Sequence, residues 1–198
     1  MKEYKIAVVG SRETPPEVMH EMYMVLLRGF NMLIRRNYKI LFRSGGCYKG
    51  PDQLEFQFAR QWDNTIDQDT GRKAERPDQF ICYLPDDKKL WLKNVHKNVE
   101  FRVIEQTEAY REIVSRHHPA PDKLQPFAWG LHGRNLNIVM GDNLDDPVDA
   151  VYYSAEHDKH GNPKGGTAMA VKYAKECGVP CFFHATDARA WLESLRLL

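Results

Sequence analysis

Three short stretches place glycine beside residues that can hold an anion. They are Gly10-Ser11-Arg12, Ser44-Gly45-Gly46 with Asp52 close behind, and Gly165-Gly166-Thr167. A glycine has no side chain to keep a ligand from the main chain, so successive backbone N–H groups can converge on an oxyanion. Serine and threonine hydroxyls add donors, and a guanidinium can grip two oxygens of a phosphate at once. Arg12 lies in the first stretch, and Arg134, followed by Asn135, supplies a second guanidinium. Singly the stretches are weak signals, because a glycine after a strand most often makes a turn. None fits G-x-G-x-x-G or the Walker pattern, so neither a dinucleotide fingerprint nor a Walker loop is present. Their recurrence points to a guest of nucleotide size.

Each stretch lies between a strand signal and a helix signal. Lys5–Val9, Lys39–Arg43 and Ala150–Tyr153 are apolar, β-rich runs, and Phe80–Leu84 and Pro180–Phe183 read the same way. Thr14 can cap a helix that has Pro15 at its first position and Glu17 closing a capping box. Val18, Met22, Val25, Leu26, Phe30 and Leu33 then follow helical spacing, which predicts a helix to about Arg36. Further helices are expected at Gln53–Trp62, after Pro51, and at Val99–Arg116, with Val103, Thr107, Tyr110 and Val114 inward. Others should run over Trp129–Met140, over Ala168–Cys177 (stopped by Gly178), and over Ala188–Leu195 behind a capping Asp187.

Asn64–Asp78 is polar and patternless, Lys88–His96 fits neither period, and His117–Phe127 carries three prolines. Strands alternating with helices predict an α/β fold: a doubly wound, mostly parallel, Rossmann-like sheet of about five strands. One domain over residues 1–198 is expected, with helical or loop insertions at about 64–78 and 86–127. Such sheets hold ligands beyond the carboxyl ends of their strands, and all three glycine stretches fall there.

Composition narrows the classes. The 198 residues are 42% hydrophobic, enough to fill a core, and no apolar run is long enough to span a membrane. The amino terminus runs straight into a strand, so a soluble, cytoplasmic protein is expected. The net charge of +1 argues against a large nucleic-acid surface. Cys47, Cys82, Cys177 and Cys181 read as free thiols, and the eight histidines show no ligand spacing. Neither a metal nor a cofactor is expected.

The set Val8-Val9-Gly10-Ser11-Arg12, Ser44-Gly45-Gly46 with Gly50-Pro51-Asp52, Gly133-Arg134-Asn135, and Gly165-Gly166-Thr167-Ala168-Met169-Ala170 with Gly178-Val179-Pro180 resembles the SLOG superfamily. These Rossmann-like proteins include the Smf/DprA DNA-processing proteins and the LOG nucleotide hydrolases. The resemblance covers most of the chain outside Asn64–Asp78 and Asp86–Phe127. It implies that Gly10, Ser11, Arg12, Ser44, Gly45, Gly46, Asp52, Arg134, Asn135, Gly165, Gly166 and Thr167 line one pocket for a nucleotide or nucleotide derivative. Tyr48, on the second stretch, is the aromatic placed to stack on a base.

One departure bears on catalysis. The LOG hydrolases carry a glutamate three residues after this threonine, and here that position is Ala170. Glycosidic cleavage needs a carboxylate near the anomeric carbon. Asp52 and Glu156 are the candidate stand-ins, with Asp158 and Glu55 behind them; Asp52 also reads as a helix cap and Arg134 as a structural ion pair. Three functions follow: a nucleotide sensor or sequestering protein, an N-glycoside hydrolase of nucleoside 5′-monophosphates, or a DprA-like factor for single-stranded DNA, which the near-neutral charge disfavours. A homo-oligomer is compatible with the resemblance, through Trp91, Leu92, Leu195, Leu197 and Leu198.

Overall fold

Strands that are apolar on successive residues must be covered on both faces. Ile6–Val9, Ile40–Ser44 and Phe80–Leu84 are buried throughout. In a computed structural model describing residues 1–63 and 78–198, with the Asp63 side chain outside the description, these runs form the middle of a parallel sheet. Its strands are β1 (Lys2–Gly10), β2 (Tyr38–Ser44), β3 (Gln79–Leu84), β4 (Glu100–Val103), β5 (Ala150–Ser154) and β6 (Cys181–Phe183). They lie in the order β4-β3-β2-β1-β5-β6, every neighbouring pair parallel.

The helices are α1 (Pro16–Arg35), α2 (Gln53–Asp63), α3 (Glu108–His117), α4 (Pro126–Met140), α5 (Gly165–Glu176) and α6 (His184–Ser194). Alternation along each strand divides the core in two. Ile6, Val8, Phe42, Phe80 and Tyr152 meet Leu26 and Phe30 of α1, Leu54 and Phe58 of α2, and Trp191 of α6. Ala7, Val9, Leu41, Ile81 and Tyr153 meet Val114 of α3, Leu136 and Val139 of α4, and Met169 and Val171 of α5. The fold is therefore a three-layer, doubly wound α/β sheet.

The sixth strand corrects one expectation. Glu100–Val103, read as the start of a helix, pairs with β3 from Ile81↔Glu100 to Leu84↔Val103, and the helix begins only at Glu108. The backbone groups along β3 need partners, and an extended segment supplies them where a helix cannot. Val103 is accordingly exposed, not part of an inner helical face. Lys88–His96 holds a 3₁₀ turn over Asp87–Asn94, capped by Asp86, which accepts from the Lys88 N–H at 3.1 Å.

Helix starts differ too. Thr14 does not cap α1, which begins at Pro16; its hydroxyl donates to the Ser11 carbonyl at 2.8 Å and ties down the exit of β1. Asp187 lies inside the first turn of α6 and reaches back to accept from the Phe183 N–H at 3.0 Å. Leu195, expected at a self-contact, is core at 1% exposure. The insertion expected at 64–78 lies outside the described residues save for Asp78, whose carboxylate accepts from the Ile40 N–H at 2.7 Å and the Trp62 indole at 2.9 Å. No helix among the described residues is long and apolar enough to cross a membrane.

Candidate functional site at the carboxyl edge of the sheet

The strand order reverses between β1 and β5, where Gly10 and Ser154 stand in register. The Ser11 N–H donates to the Ser154 carbonyl at 2.9 Å, and a side chain on Gly10 would run into that carbonyl and the Pro51 ring. Gly50 adopts a φ of +77° against the same exit, where a Cβ would stand 3.1 Å from Arg12 Cα. The first and second glycine stretches therefore touch. The second reaches α4 in turn: Arg134 Nη1 donates to the Gly45 carbonyl, and a Cβ on Gly45 would meet Arg134 Cζ at 2.6 Å. From the next residue, Asn135 Nδ2 donates to the Gly166 carbonyl at 3.2 Å, at the start of α5. These contacts tie the exit of β1, the loop after β2, α4 and the start of α5 to one another.

Part of this set is sealed from solvent. Asp52 Oδ2 accepts from the Cys47 N–H at 2.8 Å and lies 3.5 Å from Arg134 Nη2. Its carboxylate turns back to clamp the glycine loop. Burial raises the Asp52 pKa, while Arg134, the Cys47 N–H and Lys89 draw it down. Behind it Glu55 is fully buried and accepts from the Ser44 hydroxyl at 2.6 Å. Burial pushes the Glu55 pKa well above the carboxylate range, with the Asp52 charge adding to the rise and the Ser44 bond opposing it. Cys82 closes this pocket, its thiol pKa raised by burial and then by Glu55. Ser44, Asp52, Asn135 and Thr167 are all buried, so they build the frame instead of facing outward.

Other members stand open. Arg12 is exposed, as is Tyr48, with the Lys49 ammonium 5.7 Å from its ring centre. Gly165 and Gly166 are exposed, with no atom within 4 Å of where a Cβ would stand, and α5 carries no acidic residue in its first turn. The stretch before them divides in two. Glu156 to Lys164 folds as a hairpin closed by Lys164 N–H to Glu156 carbonyl at 2.8 Å. Asp158 holds its tip, accepting from the N–H groups of His160 at 2.8 Å and Asn162 at 2.9 Å. Those bonds from Asn162 keep the Asp158 pKa low. Gly161 and Asn162 therefore belong to a turn, and only Lys164-Gly165-Gly166 opens the helix.

The carboxylate candidates separate on the same basis. Asp52 is clamped, and Glu156 is 79% exposed at its side chain, 3.7 Å from the Lys164 ammonium. Ala170 is 1% exposed within the core beneath α5. Among the described residues no group of three or more His, Cys, Asp or Glu could hold a metal ion.

Three features carried no sequence signal. Lys89, from the 3₁₀ turn, donates to the Gly46 carbonyl at 3.3 Å. A cavity of about 740 Å³ lies between α1 and α6, and a second of about 640 Å³ lies by Tyr83, Arg102 and Tyr110. Neither is walled by the glycine loops. Compared with protein-family models and with curated proteins, the chain matches none.

Proposed function

We propose that this chain binds a nucleotide or nucleotide derivative at the carboxyl edge of the sheet, as a sensor or sequestering protein. The observation that carries the reading is the open start of α5, where exposed Gly165 and Gly166 leave main-chain N–H groups uncovered and no acidic side chain intervenes. Those donors and the positive end of the helix dipole favour a phosphate. Arg12, exposed at the exit of β1, supplies a guanidinium for the same anion. Arg134 and Asn135 serve the site by fixing the Gly45 loop and the start of α5. The motifs shared with the SLOG superfamily support the same reading, and membership of it is part of this proposal.

Binding without cleavage is favoured by where the candidate carboxylates stand among the described residues. Glu55 is sealed, Asp52 is clamped, Glu156 is solvated, and Ala170 stands where hydrolases carry glutamate. The test is calorimetry against mono-, di- and cyclic nucleotides and ribose 5-phosphate. Arg12→Ala and Gly166→Asp should each weaken binding about tenfold or more, the scale of one charge-assisted hydrogen bond. No heat from any of these up to millimolar concentration would sink the reading. Release of free base over hours would replace it with hydrolysis.

A further inference from the structure

The larger cavity opens between α1 and α6 at the carboxyl end of β5. Its floor is Ser154 and Ala155, and Ser154 is the register partner of Gly10 across the strand pair where the sheet order reverses. Open α/β sheets hold their ligands at that reversal. The end of β5 feeds both halves of the region: it floors this groove, and through the Glu156–Lys164 hairpin it leads on to α5. Val18, Met24, Val25 and Ala188 make the walls apolar.

His20, Glu21 and His184 also line the groove, and two of them, His184 and Glu21, are paired. His184 is 7% exposed, with Tyr152 Oη 2.6 Å from its Nδ1 and Glu21 Oε2 3.4 Å from its Nε2. Tyr152 is fully buried, and burial holds its pKa far above the usual phenol value, so it keeps its proton. That hydrogen needs an acceptor inside the protein, and Nδ1 is the one within reach. With Nδ1 accepting from that hydroxyl, the ring's N–H lies at Nε2, toward Glu21. At 3.4 Å this donor and carboxylate are looser than a charge-assisted hydrogen bond, which closes at about 2.7–2.9 Å. A flat edge carrying an acceptor beside an N–H donor can therefore engage both. The Watson–Crick edge of a purine is such an edge, as ring N1 with a 6-amino group or as a 6-oxo group with N1–H.

We infer that this groove takes the purine base of the nucleotide, the His184 Nε2–H donating to its edge and the Glu21 carboxylate accepting from it, an assignment that rests on the nucleotide reading above. Calorimetry with AMP, IMP, purine riboside 5′-monophosphate and ribose 5-phosphate separates the two claims. The purine riboside keeps the ring but has no N–H on that edge, so AMP or IMP should bind about tenfold more tightly than it does. Glu21→Ala should erase that preference; the side chain is 68% exposed, so a melting curve should match the parent. Ala185→Trp, which fills the groove, should lower nucleotide affinity to that of ribose 5-phosphate and leave the latter unchanged. Equal binding of all four compounds, or a preference that survives Glu21→Ala, overturns the base assignment while the phosphate site stands. If none of the four binds, both claims fall.

Discussion

The loops after β2 and before α5 read alike in sequence, each a glycine pair beside a hydroxyl residue, yet they hold opposite places. At Gly45 and Gly46 a side chain would strike Arg134 and Cys82, each at 2.6 Å, and the φ of Gly46 is +61°. At Gly165 and Gly166 nothing stands within 4 Å, and at Gly165 it is the backbone, with a φ of +67°, that calls for glycine. The first pair is glycine because the protein itself fills the space; in the second the protein leaves the space empty. The same residue type thus serves internal packing in one loop and an outward-facing backbone in the other.

The comparison can be broken from its rigid side first. Arg134→Met should cost about 3 kcal/mol in urea unfolding, because it leaves the buried Asp52 carboxylate without its counter-charge. Gly46→Val combines a left-handed backbone with a clash against Cys82 and should cost about 2–4 kcal/mol. If Gly166→Val proved as costly, the two loops would not differ as described.

Glu55 sharpens the contrast through pH. Its folded pKa lies above its unfolded value, so the folded chain holds a proton that the unfolded chain releases from about pH 4.5 upward. That stability is full below the unfolded pKa and is lost as pH rises toward the folded one. Glu55→Gln, which mimics the neutral acid, should therefore match the parent near pH 4 and exceed it near pH 8. Parallel pH–stability curves would remove the buried, protonated Glu55. The smallest effect belongs to the open loop. Gly166→Asp should raise stability by about 0.3–1 kcal/mol through the helix dipole while weakening phosphate binding, a split between melting curve and calorimetry.

Much of the framework was legible in the chain. Short continuous apolar runs and helical spacing located most elements, because strands buried on both faces must be apolar on successive residues and helices buried on one face must repeat at helical period. β4 was missed because its four residues have too little of either period, and pairing with β3 decided its conformation. The roles of the site residues were less legible. Asp52 read equally as base or cap and turned out to clamp a loop, and Thr167 read as a ligand contact but faces inward.

By itself, then, the sequence determined the alternation of strand and helix, the glycine stretches at strand ends, and the absence of a carboxylate at Ala170. Tertiary structure alone decided which glycines are filled and which stand open, and it joined His184 to Glu21 and Tyr152. The physical reason is distance along the chain. Whether Gly45 has room for a side chain depends on Arg134, 89 residues away, and no local pattern encodes what the fold brings against a given backbone atom.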